Sequence, residues 1–315
     1  MRVVFIGSGE IGLPALQWLA REEELLAVAA QPDKPAGRKM TLTPPPTKVF
    51  ALEHGIPVLQ PRRMRDPEAV AELAAFKPEV IVVMAYGQIL PKAVLEIPTL
   101  ACLNLHASLL PKYRGAAPIQ AALEAGERET GMAVMWMDEG LDTGDVLLMH
   151  SIPIRRRETG GSLHDRLALL APQALADGLA RLKAGDAPRI PQENAAATYA
   201  AKLSRESGVI DWAASSGAID RRVRAMNPWP AASTTLPGLP GQTSRKLKIF
   251  TVIQERRTSG EPGVVLRADR RGILVGAGEG AILLREIQLE GKRRMSAGDF
   301  LLGHPVAPGT RLGTP

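Results

Sequence analysis

What the sequence has least of bounds it first. Its 315 residues include one cysteine, which excludes a disulfide framework and suits a reducing compartment such as the cytosol. Five histidines are present and aromatic residues make up 4%. Neither His150 nor His164 has a metal-ligand partner at a suitable spacing, so no metal site is expected. No apolar run approaches the ~20 residues that cross a bilayer. Met1-Arg2 runs straight into a short strand-like stretch rather than the basic-then-apolar pattern of a signal peptide. The expectation is a cytoplasmic protein with no membrane contact.

Excess charge is also scarce until the chain is divided. Residues 1–204 carry 22 Lys and Arg against 23 Asp and Glu, a balance of −1, whereas residues 205–315 carry 17 against 10, or +7. The net +6 therefore sits in the last third. A basic module on a near-neutral one points to a polyanionic partner gripped through phosphates; the competing reading is an arginine-rich surface that serves solubility. Arg155-Arg156-Arg157 reads as a solvated face.

Three segments follow from the patterning, namely a domain at 1–189, a linker at 190–207 marked by Pro191 and the small residues Ala195 to Ala197, and a basic domain at 208–315. In the first, short apolar runs alternate with helical spacing. Strands are expected at Arg2 to Gly7, Leu25 to Gln31, Pro57 to Gln60, Val80 to Ala85 and Met132 to Met137. Helices are expected at Glu10 to Ala20, Thr47 to His54 with the threonine as cap, Asp66 to Phe76, Gly115 to Gly126 and Ser162 to Lys183. That alternation predicts an α/β fold with a doubly wound, mostly parallel sheet. In the last segment, brief Val/Ile/Leu runs at Leu247 to Gln254, Gly263 to Arg267, Gly272 to Val275 and Ala281 to Gln288 suggest a small β-barrel.

The chemistry concentrates in Leu103-Asn104-Leu105-His106-Ala107-Ser108-Leu109-Leu110-Pro111 and in the later acidic stretch Asp138 to Asp145. Strand side chains alternate, so Asn104 and His106 share a face at the carboxyl end of a strand, where open α/β sheets bind ligands. The amide offers a donor for a carbonyl oxygen and the imidazole a proton near neutral pH, with an aspartate to orient the ring. Spacing alone does not choose among Asp138, Asp142 and Asp145. Cys102, in the same apolar run, reads as a small hydrophobe.

Two further features need an account. Gly7-Ser8-Gly9-Glu10-Ile11-Gly12 formally matches the dinucleotide fingerprint, with Asp33 near the place of its ribose-binding acid. Asp33, however, follows Pro32 and begins a loop, so a tight strand-to-helix turn is the default expectation. Pro32 to Pro46 holds five prolines and the cations Lys34, Arg38 and Lys39 without apolar periodicity, and reads as a long functional loop.

Asn-x-His, then Ser-Leu-Leu-Pro, Tyr113-Arg114-Gly115 and Gly-Leu-Asp-Thr-Gly-Asp together resemble the folate-dependent formyltransferases. Within that family the resemblance is to the branch that acts on initiator methionyl-tRNA. It implies Asn104, His106 and Asp142 as catalytic residues, with Ser108, Leu109, Leu110, Pro111 and the Tyr86-Gly87 turn around the donor, 10-formyltetrahydrofolate. It implies no tightly bound cofactor. Gln-Pro-Asp-Lys-Pro-Ala-Gly-Arg resembles the family's tRNA-engaging loop, which gives Arg38 the leading contact and Lys34 and Lys39 weaker ones. The family also implies an OB-like second domain, which Arg224-Ala-Met-Asn-Pro-Trp-Pro, Gly291-Lys-Arg-Arg-Met and Asp299-Phe-Leu extend toward the end of the chain. Ser8-Gly9, where the family carries Thr-Pro, and Ala231, where it often has glycine, are departures. A monomer is expected. The competing functions are formyl transfer to a sugar-nucleotide amine and, from the glycine turn alone, a nicotinamide-dependent oxidoreductase.

Overall fold

In the computed structural model of the chain, which describes residues 1–37, 40–238 and 243–313, the early apolar runs pair into one seven-stranded sheet. Its order is Val146–Pro153, Glu129–Trp136, Ala101–His106, Val80–Val83, Arg2–Ile6, Glu24–Ala29, Val58–Leu59. The last five of these are mutually parallel, and the first two are antiparallel additions. Val80–Val83 and Ala101–His106 are buried at every position, which is why both read as uninterrupted apolar runs. The chain winds outward in both directions from Arg2–Ile6. The carboxyl ends of this strand and Val80–Val83 therefore flank the crevice that doubly wound sheets use for ligands.

The glycine turn after Arg2–Ile6 is closed against its neighbours rather than open to a pyrophosphate. A Cβ on Gly7 would lie 2.3 Å from the Met84 carbonyl oxygen, so only glycine fits. The Ser8 amide donates to the Ala85 carbonyl at 3.2 Å, and the buried Thr47 hydroxyl donates to the Gly7 carbonyl at 2.7 Å. Thr47 is thus a tie between helix and turn; the cap of helix Pro46–Glu53 is Pro45. Asp33 is engaged by the Gln60 amide at 2.8 Å and the Lys48 ammonium at 2.9 Å, which hold its carboxyl below the usual range. The dinucleotide reading has lost its first glycine and its acid to internal contacts.

Pro32 to Pro46 is not structureless. Lys34–Ala36 and Thr41–Thr43 pair as a small antiparallel hairpin, with Met40 and Leu42 each 67% exposed. Lys34 is exposed on its first strand. Arg38 and Lys39 lie outside the described residues.

The chain forms two units. One comprises Met1–Pro118, Glu129–Pro153 and His164–Ala201; the other comprises Ile119–Arg128, Ile154–Leu163 and the chain from Lys202 onward. In the second, an antiparallel sheet runs Ala232–Leu236, Arg245–Glu255, Ala281–Leu289, Gly272–Gly276, Val265–Asp269. The first of these strands, Ala232–Leu236, has only Ala, Ser and Thr before its final Leu and gave no apolar signal. Helices Ser216–Ala225 and Ala297–Gly303 were missed as well, although Ser215 and Ser296 cap them.

The core of this unit gathers Trp212, Ile219, Val223, Ile249, Val275, Leu284 and Phe300, and the Trp212 indole donates to Thr234 Oγ1 at 3.0 Å. Among the described residues its two edge strands do not pair with each other, so the small barrel expected is an open antiparallel path. The end of the chain covers both edges. Gly313 N donates to the Thr235 carbonyl at 2.9 Å, and Val265 N to the Thr310 carbonyl at 2.8 Å. Among the described residues no helix is long and apolar enough to cross a membrane.

Phe300 is 2% exposed in this core. Phe300→Ala should cost about 3–5 kcal/mol through lost burial and the cavity left behind. The urea midpoint of the transition that reports on the second unit measures it.

Candidate active site

The site begins with strand alternation. Asn104 and His106 lie on one face at the end of Ala101–His106, both buried, above Cys102 and the apolar layer below it. Glu129–Trp136 pairs with this strand and leads into the loop that carries Asp142. Asn104 Nδ2 donates to Asp142 Oδ1 at 3.2 Å, and His106 Nδ1 stands 3.6 Å from Asp142 Oδ2. The Gly115 amide donates to Asp142 Oδ2 at 2.8 Å. Two donors, the Asn104 amide and the Gly115 N–H, therefore converge on one carboxylate, and the His106 ring stands beside them.

The imidazole is oriented from behind by a residue outside the expected set. His106 Nε2 lies 2.9 Å from the Tyr113 carbonyl oxygen, which can only accept, so Nε2 carries a proton. Nδ1 faces a carboxylate oxygen, also an acceptor. Nδ1 is thereby turned to the side of Asn104 and Asp142. Tyr113 and Asp142 both adopt left-handed backbone, φ +60° and +54°, which is unusual for residues with a Cβ and marks both turns as held by their surroundings.

The three candidate aspartates now separate. Asp138 braces the loop, accepting from Thr143 Oγ1 at 2.8 Å on each oxygen and from the Gly140 amide at 3.0 Å. Asp145 contributes its carbonyl to the Trp136 amide at 2.9 Å. Asp142 alone of the three meets Asn104 and His106. Gly144 makes the tight return possible, since a Cβ there would lie 1.9 Å from the Trp136 carbonyl oxygen.

Of the stretch after His106, Ser108 and Leu110 are buried and occupied. The Ser108 hydroxyl donates to the Lys112 carbonyl at 2.6 Å, and Leu110 packs with Ala133, Met135 and Val146. Their side chains build the turn that presents Tyr113 and Gly115. Leu109 and Pro111 are partly exposed. Across the crevice, Ala85 and Gly87 at φ +51° and +81° bracket Tyr86. Its ring is buried, its hydroxyl has no hydrogen-bond partner among the described residues, and burial pushes that hydroxyl up to about 12.

Two family models match this chain, the formyl transferase domain over residues 1–179 and the formyl transferase C-terminal domain over residues 202–305. The chain belongs to the formyl transferase family. A methionyl-tRNA formyltransferase of Methylacidiphilum infernorum is 49% identical over 99% of this chain and 98% of its own length. Among solved structures, an N-formyltransferase from Helicobacter canadensis in complex with folinic acid and dTDP-3-aminofucose has a TM-score of 0.64. It is 17% identical, with 90% of this chain and 98% of that one covered. HypX from Aquifex aeolicus in complex with tetrahydrofolic acid has a TM-score of 0.63 at 19% identity. The match covers 96% of this chain but only 47% of HypX, so this formyltransferase spans about half its length. The two solved structures share the fold.

The second unit of this formyltransferase holds a groove of about 1090 Å³ lined by eight arginines and two acids, Glu127 and Asp220. Arg155, Arg156 and Arg157 are exposed on it beside Arg256 and Arg285, in keeping with their reading as a solvated face. Among the described residues none of Arg155, Arg156, Arg157 and Arg285 has an ion pair. Among the described residues no cluster of His, Cys, Asp and Glu could hold a metal.

Cys102 is buried beneath Asn104 with its sulfur 3.8 Å from Met137 Sδ, and desolvation pushes its thiol up to about 12. A thiol so protonated is inert. Cys102→Ala should leave turnover unchanged, and the wild-type thiol should react with a maleimide only on unfolding. Both are read by activity and by intact mass.

Proposed function

We propose that this formyltransferase moves the formyl group of 10-formyltetrahydrofolate onto the α-amine of methionine esterified to initiator tRNA, in the cytoplasm. The observation that carries the chemistry is the convergence of Asn104 Nδ2, His106 Nδ1 and the Asp142 carboxylate. The neutral amine attacks the formyl carbon, a new C–N bond forms, and the bond from that carbon to the folate nitrogen breaks. Charge develops on the formyl oxygen, which Asn104 and the His106 imidazolium receive as preorganised donors. The amine sheds one proton, which Asp142 accepts through a water and passes on to the departing folate nitrogen, so the donor leaves as tetrahydrofolate and the carboxylate is regenerated. Tyr113, by engaging His106 Nε2, leaves Nδ1 for the oxyanion.

The donor is assigned to the crevice between Tyr86-Gly87 and the turn at Leu109 and Pro111. A pterin carries ring nitrogens and amino groups that suit the partnerless buried hydroxyl of Tyr86, an atom costly to leave unsatisfied. Ser108 and Leu110 would serve that donor by shaping the turn.

For the acceptor, two observations favour tRNA over a sugar nucleotide. Full-length identity of 49% is to a protein named for methionyl-tRNA, against 17% to a sugar formyltransferase. The groove offers the cationic lining a polyphosphate backbone requires, and four of its eight arginines, Arg221, Arg224, Arg256 and Arg285, belong to the +7 stretch of residues 205–315. Arg38 remains the leading candidate for the acceptor end, with Lys34 and Lys39 as weaker phosphate partners.

Incubation with 10-formyltetrahydrofolate and either Met-tRNA or an amino-sugar nucleotide, followed by mass measurement, separates the two acceptors; formylated sugar and unmodified Met-tRNA would sink the proposal. His106→Ala should lower kcat by at least roughly 10²–10³ while tRNA and folate affinities hold. Replacing Arg155, Arg156 and Arg157 by alanine should weaken tRNA binding. It should also flatten the slope of log K against log salt by about 0.7–0.9 for each phosphate contact removed.

A further inference from the structure

The Asp142 loop is exposed on its outer side at Glu139, Gly140 and Leu141, and its key residue sits in a left-handed conformation that an aspartate adopts at a cost. Something must hold the carboxylate against the pull of solvent. The Gly115 amide and Asn104 bind the carboxylate itself, but neither touches the backbone that aims it.

That backbone is held by a side chain fifty residues away. Gln192 Nε2 donates to the Asp142 carbonyl at 2.9 Å and to the Gly144 carbonyl at 2.7 Å, so one amide group spans the turn. The amide is itself fixed, because Gln192 Oε1 accepts from Arg114 Nε at 3.1 Å and Nη2 at 2.9 Å. Guanidinium only donates and backbone carbonyls only accept, which leaves a single amide orientation. Arg114 is 1% exposed, and its other bonds go to Asn194 Oδ1 and the Tyr199 hydroxyl. Arg114 directly precedes Gly115, whose amide binds the carboxylate.

Gln192, Asn194 and Tyr199 belong to a strap, residues 188–200, laid along the site. Pro188 accepts from the Trp136 indole, Arg189 stacks on that ring at 3.7 Å, and Ile190 bridges to Val146. Further on, Arg114 N donates to Thr198 O, Ala116 N donates to Ala200 O, and Tyr199–Ala200 pairs in parallel with Arg114–Gly115.

We infer that Gln192, locked by Arg114, is a positioning residue that sets the Asp142 carboxylate for proton transfer. The inference rests on the reading of Asn104, His106 and Asp142 as the catalytic group. Gln192 reaches the chemistry only through the turn that bears Asp142, so its removal should slow the catalytic step and spare both substrate sites.

Gln192→Leu removes acceptor and donors together. Gln192→Glu keeps the acceptor on Arg114 but places a second carboxylate oxygen against two carbonyls. Each should lower kcat by about 10²-fold, the scale of a small misplacement of a reacting group, with KM for tRNA and folate unchanged. In an Asp142→Asn background the same substitutions should lower kcat no further, since the group they position is already gone. Wild-type kcat in both Gln192 variants, beside a crippled Asp142→Asn, overturns the inference. So does an equal loss in both backgrounds, the signature of general destabilisation. If Gln192→Leu does not fold, Gln192→Glu decides alone by the same two comparisons. An Asp142→Asn enzyme with wild-type turnover would instead remove the catalytic assignment itself, and the two failures are thereby distinct.

Discussion

One carboxylate organises this protein. Asp142 accepts from Asn104 and the Gly115 amide and faces the His106 ring at 3.6 Å. Those groups come from three separate places in the chain. A buried strand supplies the amide and imidazole, a turn supplies the peptide N–H, and a glycine-framed loop supplies the acid. A charge this enclosed is tolerable only because each lone pair turned inward meets a donor. On the proposed reading, the donors that hold the carboxylate at rest are of the kind the oxyanion of the reaction needs.

Keeping such a group in place is a backbone problem as much as a side-chain one. Left-handed φ at Tyr113 and Asp142 points a carbonyl at His106 and a carboxylate at Asn104, and neither residue is glycine. The surrounding contacts must over-determine these conformations. Ser108 does so on one side by tying its hydroxyl to the Lys112 carbonyl, and Asp138 with Thr143 does so on the other. Many residues that a motif groups with the chemistry therefore serve as its frame.

Legibility in the sequence followed the range of the interaction. Period-two alternation placed Asn104 and His106 on one face, and continuous apolar runs located Val80–Val83 and Ala101–His106, because those signals lie within a few residues. Burial of Cys102 was visible for the same reason. The hairpin within Pro32 to Pro46, the strand Ala232–Leu236 and helix Ser216–Ala225 carry weak local patterns, and tertiary pairing decides them. Among the three aspartates spacing could not choose, since the choice depends on which turn meets the Asn104 strand in space. The role of Tyr113 is carried by its carbonyl, which side-chain identity does not announce. Gln192 sits in a stretch whose proline and alanine content reads as a linker, and nothing near it in sequence points to residue 142.

That last case bears on how the two-thirds boundary of the chain is understood. A stretch with the composition of a tether can still be fixed if each polar group along it finds a partner, and residues 188–200 do so against Trp136, Arg114 and the Asp142 turn. The strap contributes little apolar burial, as Gln192, Asn194 and Tyr199 work through hydrogen bonds to groups already buried. Removing one partner from such a network leaves the others unsatisfied, with Arg114 the costliest to strand because it is a buried cation. A segment built this way is ordered by the site it orders, and the precision of Asp142 is then a property of the strap as much as of the loop that bears it.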